Sequence, residues 1–314
     1  MAISGQSWTT SADGGYLSHS RLSNKLRHEL APKYKFRQFV EVKEAWGKGK
    51  GDTLIFDKMA KIDTAGGTLV EGTTMPENKF TITRGTLTIT EYGNGVPYTG
   101  KLEILATLGL KSALTSGLME DAGDTIDNAA AAQFQLADTK YVCTASDSGI
   151  LTSNGSATAT ASSAATTGHV RQIIDQLKTM NVKPYDGSGN YVCIASIKFL
   201  SGLKSDSNFS TAAAYGQPEL FFNGEIARYY GCRFIEDNNV LSNTLGSGAQ
   251  WGEAVFFGKD SVMEGVAQAV ELRSKTPADY GRDKGLGWYF LGGFQKVWDV
   301  STDGQGTMIH ATSA

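Results

Sequence analysis

Histidine and cysteine are scarce in this sequence, with four and three residues respectively among 314. The cysteines, Cys143, Cys193 and Cys232, are too few and too widely spaced for a disulfide framework. The histidines show neither the His-Glu-x-x-His pattern nor any other paired spacing of metal ligands. We therefore expect reduced structural thiols, and neither a metal ion nor another cofactor.

Long apolar runs are missing as well. No stretch of about eighteen apolar residues is present that could cross a membrane as a helix. The start of the chain lacks the positive charge and the apolar centre of a signal peptide. The sequence therefore predicts a protein that is made in the cytoplasm and has no membrane partner.

Motifs for catalysis and nucleotide binding are also absent. The glycine- and lysine-rich run at 47–51 fails the spacing of a phosphate-binding loop and precedes a predicted strand instead of a helix. No Gly-x-Ser-x-Gly nucleophile elbow occurs. Candidates for a general acid–base pair are four carboxylates on one predicted helix, Glu120, Asp121, Asp124 and Asp127. Such a cluster is more typical of a solvated helix face, so we expect no enzymatic activity.

Basic charge is concentrated near the start of the chain. The formal net charge of -3 is not that of a strongly basic nucleic-acid-binding protein. Within residues 21–50, however, nine basic residues oppose three acidic ones, which leaves +6. Leu22, Leu26 and Leu30 recur every four residues ahead of Pro32, which predicts an amphipathic helix. The segment after it is predicted to be an extended basic arm that either docks onto a partner or lies in solvent.

A long two-stranded ribbon is predicted between Gly51 and Gly100. The runs 52–57 and 80–90 have strand propensity, and the residues between them are rich in turn-forming glycine. An isolated hairpin is marginally stable in water, so a ribbon of this length indicates that another subunit packs against it. The alternative is a pair of neighbouring strands within an ordinary antiparallel sheet.

The side chains of the second ribbon strand change face part-way along it. Phe80 and Ile82 share one face, whereas Leu87 and Ile89 share the other. This change of parity predicts a bulge or bend at Arg84-Gly85.

The remainder of the chain predicts a mixture of helices and strands. Apolar residues four apart, from Leu110 to Phe134, predict one long helix over about 112–137. A loop rich in serine, threonine and alanine follows at 146–168. A helix up to Pro184 and a helix around 197–205 are predicted, with strands at 191–195, 231–236, 254–258 and 288–291. Because strands and helices do not alternate regularly, we expect an α+β fold and not a doubly wound parallel sheet.

The order of these parts resembles a known family. The segments that carry the resemblance are residues 20–39 in the arm, 51–53 and 69–72 in the ribbon, 83–93 on its return, and 231–236 and 255–259. The chain resembles the major capsid proteins of tailed bacteriophages with the Hong Kong 97-type shell fold. It is most similar to the branch found in phages with a large virion RNA polymerase.

The resemblance implies four structural parts. They are an N-terminal arm (1–50), an extended β-hairpin loop (51–100), a peripheral domain with a long spine helix (101–185 and 266–314), and an axial domain (186–265). Pentamers and hexamers are expected, with the extended loop lying over a neighbouring subunit. The charged residues expected at subunit interfaces are Arg21, Arg27, Arg37, Glu71, Lys79 and Arg84.

The resemblance also implies a function and partners. The chain is expected to assemble into the icosahedral shell that encloses the double-stranded DNA of a tailed phage, after synthesis in a bacterial cytoplasm. Scaffold, portal and decoration proteins are expected partners, and contact with packaged DNA should be non-specific because the chain is acidic overall. An encapsulin-like compartment shell, a β-rich surface adhesin and, least, a hydrolase with a hidden acid pair are the alternatives.

Overall fold

A computed structural model describes most of the chain. The described residues are 35–44, 49, 51–59, 67–75, 77, 79–106, 109–207, 228–237, 245 and 252–314. The predicted amphipathic helix with Leu22, Leu26 and Leu30 lies outside these residues. No described helix is both long enough and apolar enough to span a membrane.

A four-stranded sheet forms one part of the fold. Its strands are β1 (Glu41–Glu44), β4 (Thr90–Thr99), β11 (Val262–Ser274) and β12 (Asp283–Lys296). Their order in the sheet is β1-β11-β12-β4. Strands β11 and β12 make a long antiparallel hairpin that contains the predicted closing strand, and β1 runs parallel to β11 at one edge.

The predicted long helix packs on this sheet. It is α2 (Leu110–Gln135), which begins and ends two residues before the predicted bounds. A shorter helix, α1 (Gly100–Leu105), precedes it. Leu118, Ile126 and Phe134 of α2 are buried in one cluster with Trp288 and Phe290 of β12. The apolar ladder read from the sequence is therefore the packing face of the helix.

A seven-stranded mixed sheet forms the second part. Its strands are β5 (Thr139–Ala145), β6 (Ser148–Ser153), β7 (Tyr191–Ala195), β8 (Arg228–Tyr229), β9 (Cys232–Glu236), β10 (Gly252–Phe257) and β13 (Met308–Ser313). They are arranged in the order β6-β5-β13-β10-β7-β9-β8. Helices α3 (Thr167–Thr179) and α4 (Ile197–Ser205) cover the sheet. The middle strands β7 and β10 are buried along their whole length, which explains why Glu253 is the only charged residue in them.

The seven-stranded sheet joins strands that lie far apart in the sequence. Strands β5, β6 and β13, expected in the peripheral domain, belong to the same sheet as the predicted axial strand β7. Hydrogen bonding over long sequence separations, such as His310 beside Lys140, joins them. No sequence periodicity reports which strands become neighbours in this way.

The ribbon is a separate two-stranded sheet of β2 (Thr53–Met59) and β3 (Ile82–Thr88). The predicted bulge at Arg84-Gly85 is wrong, because pairing is regular from Thr53–Thr88 to Met59–Ile82. Glycine is needed at position 85 for a different reason. The Phe56 ring lies over it, so a Cβ atom there would come within 2.2 Å of that ring. Ile82 is simply exposed, on the opposite face from the buried Leu87.

Candidate assembly surface

A buried ion pair fixes the ribbon near the tip end of its two strands. Lys58 of β2 donates to the Asp303 carboxylate at 2.5 Å, and their side chains are only 7% and 1% exposed. Thr83 of β3 donates to the other carboxylate oxygen of Asp303 at 2.6 Å. Asp303 closes the short helix α5 (Val300–Asp303), and the Trp298 ring lies 5.8 Å from the Lys58 ammonium. Both ribbon strands are thus tied to one point of the subunit.

The electrostatics of this pair favour the ionised carboxylate. Burial alone would raise the pKa of Asp303. Hydrogen bonds from Lys58, Thr83 and the Asp299 amide outweigh the burial, so the pKa of Asp303 lies below its ordinary value. The ion pair is therefore present at neutral pH.

One face of the ribbon packs on its own subunit. Leu54 and Leu87, which are paired across the two strands, are buried in a small cluster with Met263 of β11. A Cβ atom at Gly293 would come within 2.1 Å of the Thr88 carbonyl oxygen, so glycine permits this close approach. The subunit itself therefore covers this face of the ribbon.

The opposite face of the ribbon is exposed and carries three large apolar side chains among polar ones. Ile55, Met59 and Ile82 are 52%, 65% and 56% exposed. Between them lies a directly opposed ion pair, in which Arg84 Nε donates to Asp57 Oδ1 at 2.8 Å. Large side chains of this kind contribute most stabilisation when another surface removes them from water.

The tip of the ribbon is exposed as well. Four large apolar residues there are more than half exposed, namely Leu69, Val70, Met75 and Phe80. Glu71 and Lys79, two of the predicted interface residues, are also exposed. The structure thus brings Glu71, Lys79 and Arg84 to one ribbon, and we define its exposed face and tip together as the assembly surface.

Arg37, another predicted interface residue, makes its contacts within the subunit. Arg21 and Arg27 lie outside the described residues. Arg37 pairs with Glu264 of the same subunit at 2.8 Å, and the Glu264 side chain is fully buried. The Arg37 guanidinium also lies 5.6 Å from the Phe290 ring. Arg37 thus has a structural contact inside the subunit that its sequence context did not indicate.

A carboxylate on helix α2 holds the arm against the core. Asp127 of α2 is 1% exposed and accepts hydrogen bonds from the backbone amides of Lys35 and Arg37. Phe36, between these amides, is fully buried and packs against Phe134. Sequence reasoning missed the role of Asp127. Its position on the apolar side of the helix, next to Ile126, was the available signal.

The carboxylate cluster on α2 is not the solvated face that was predicted. Asp121 accepts hydrogen bonds from the Trp288 indole at 2.7 Å and from Asn94 at 3.0 Å. Burial, followed by repulsion from Asp127, Asp121 and Glu120, raises the pKa of Asp124. Asp121 thus attaches the helix to the sheet and Asp127 attaches it to the arm, which are structural roles.

The described residues offer little for chemistry. Among them, no group of three histidine, cysteine or acidic side chains is placed to hold a metal ion. All three cysteines are buried, and burial raises the pKa of Cys143 to about 12.

The fold is that of proteins that build virus shells. The chain is similar to the capsid of Ralstonia phage GP4, at 15% identity over 94% of this chain and 95% of that one, with a TM-score of 0.71. It is similar to the capsid of cyanophage Pam1, at 16% identity over 94% of this chain and 96% of that one, with a TM-score of 0.71. A chain from the head structure of Helicobacter pylori bacteriophage KHP40 is also similar, at 13% identity over 94% of this chain and 95% of that one, with a TM-score of 0.70. At these identities the likeness establishes the fold, which is the Hong Kong 97 type.

The sequence itself identifies the family. The model of the phage capsid protein family matches residues 83–294, which is more than half of the chain. The chain belongs to this family, and it is a major capsid protein that forms the shell of a bacteriophage. No curated protein sequence matches it. Neither an encapsulin-like compartment nor an adhesin is favoured, and the narrower branch with a large virion RNA polymerase remains a prediction.

Proposed function

We propose that the protein assembles as pentamers and hexamers in which the ribbon of each subunit lies over its neighbour. One observation carries this proposal: one face of the ribbon is anchored and buried on its own subunit, while the other face exposes the apolar side chains of Ile55, Met59 and Ile82. A surface of this kind is stabilised by association, and a closed shell repeats the contact many times.

The four predicted structural parts give the proposal its detail. The arm (1–50) and the extended loop (51–100) would contact neighbouring subunits, and the axial region would surround the centre of each ring. Glu71, Lys79 and Arg84 are the described residues that we propose at the ribbon contact, and Arg21 and Arg27 are proposed for the arm. Arg37 would act mainly within the subunit, because Glu264 holds it there.

The proposal extends to partners and to location. The shell would enclose double-stranded DNA with non-specific contacts, because the net charge of -3 gives few phosphate contacts and little counterion release. Scaffold, portal and decoration proteins are proposed as further partners. The subunit would be made in a bacterial cytoplasm, become part of the virion, and have no enzymatic activity.

Electron microscopy of the purified, concentrated protein tests this function. We expect closed polyhedral shells built from rings of five and six subunits. Nuclease-protected DNA in particles isolated from infected cells would identify the cargo. Open filaments, or a protein that stays monomeric at high concentration with every scaffold tested, would contradict the proposal.

A further inference from the structure

An ion pair lies at the centre of the exposed face of the ribbon. Asp57 and Arg84 face each other across β2 and β3, and their side chains are 54% and 69% exposed. The apolar residues Ile55 on one side, and Met59 with Ile82 on the other, flank this pair along the ribbon. A surface that covers the three apolar side chains must also cover the ion pair between them.

We propose that the Asp57–Arg84 pair is a positioning element, which fixes where the ribbon lies on a second copy of this chain. The inference rests on the proposed ribbon contact between subunits. Apolar contacts are non-directional, so an apolar ribbon could slide by two residues along its neighbour. A charge pair inside the contact tolerates one position only, because any other position leaves charged groups without water or partners.

The hydrogen-bonding capacity of the pair specifies the surface that it meets. Arg84 uses its Nε–H on Asp57, and a guanidinium carries five N–H donors in all. The neighbouring copy must therefore present acceptor oxygens, from carboxylates or backbone carbonyls, amid apolar side chains. Charged pairs at the centre of a contact contribute specificity in this way more than affinity.

The size of the ribbon face indicates a second copy within a large assembly. Seven residue pairs at about 3.4 Å rise on strands about 4.8 Å apart give a face of roughly 200–250 Å². A stable two-protein complex buries about 800 Å² on each partner. The face alone is too small to hold a dimer, so it suits a contact that is repeated around a closed shell.

Charge-deletion variants of the ribbon test the proposal. Asp57→Asn and Arg84→Gln should each raise the subunit concentration at which half of the protein is in shells by at least about tenfold. The double variant Asp57→Leu/Arg84→Met should assemble within about threefold of the unaltered protein, but into shells of mixed diameter. Glu41→Gln removes a similarly exposed ion pair on β1 and serves as the matched control.

Folding and location are checked separately. Melting of the disassembled subunits should be the same for all these variants, since the pair is exposed there. Thr86→Cys places an accessible thiol on the same face, where the three native cysteines are buried. Maleimide should label this thiol in subunits, and at least about tenfold more slowly in shells.

The outcomes separate this inference from the proposed function. If the unaltered protein forms shells, but the single variants assemble equally well or the thiol introduced by Thr86→Cys remains equally reactive, the pair is not a positioning element. Equal weakening by the single and the double variants would also overturn it. If the unaltered protein forms no shells, the proposed function fails first.

Discussion

Single residues tie the ribbon and the arm to the subunit through buried charges. Lys58 reaches Asp303, Arg37 reaches Glu264, and Asp127 holds backbone amides of the arm. Breaking a buried pair on one side is costly, because the remaining charge is left without water or a partner. These residues therefore control the stability of the subunit before any assembly takes place.

Lys58→Met should destabilise the isolated subunit by about 3–5 kcal/mol, because Asp303 remains buried without its counter-ion. Lys43→Met, at an exposed pair with Glu41, is the control and should have little effect. Urea unfolding of both variants measures the difference. Equal stabilities would mean that water reaches Asp303 freely.

The Asp303 carboxylate should also make the subunit sensitive to acid. Its folded pKa is lowered, whereas an unfolded aspartate titrates near pH 4 (about 3.9). Its contribution is therefore complete above that pH and is lost as the pH falls towards the folded pKa. Unfolding measured at pH 6 and pH 3 should show a smaller loss in Asp303→Asn than in the unaltered protein. Identical losses would contradict this.

Arg37→Met should destabilise the isolated subunit by about 1–3 kcal/mol, since Glu264 is fully buried and loses its charged hydrogen-bond donor. Arg84→Met, which removes an arginine from an exposed pair, is the control. Thermal melting of unassembled subunits compares them. An unchanged melting temperature for Arg37→Met would mean that Arg37 does not stabilise the subunit and acts only between subunits.

Elements with strong local patterns were predictable from the sequence. The helix at Ile197–Ser205 and the strand at Tyr191–Ala195 have the predicted bounds, because caps and apolar runs define them locally. The predicted bulge at Gly85 failed since Phe56 approaches it from another strand. The sheet partners of β13 and the contacts of Asp127 likewise depend on residues far away in sequence.

The long helix provides the element-scale prediction. Ile126→Ala should cost about 2–5 kcal/mol, because the side chain is 1% exposed in the core between helix and sheet. Met119→Ala, on the same helix at 45% exposure, should change stability by less than about 0.5 kcal/mol. Soluble expression and urea unfolding report both. A stable Ile126→Ala subunit would mean that the core relaxes around the cavity.

At the scale of the whole molecule, the two large sheets and the helices packed on them bury the main described core, whereas the ribbon leaves large apolar side chains exposed. The ribbon base packs on the subunit in a small separate cluster through Leu54 and Leu87, whereas the tip exposes Leu69, Val70, Met75 and Phe80. Stability and assembly should therefore be separable by changing the tip alone.

Replacing residues 66–81 with a short Gly-Ser linker tests this separation. Since the tip residues are exposed in the subunit, we expect an unchanged circular dichroism spectrum and melting temperature. Sedimentation should show free subunits or small rings in place of shells, because the apolar tip loses its intermolecular contact. Replacing the loop at 155–159 with a Gly-Ser linker is the control and should leave assembly unchanged. Shells of normal size from the shortened ribbon would show that the tip is dispensable, and the contact between subunits would then have to lie elsewhere on the molecule.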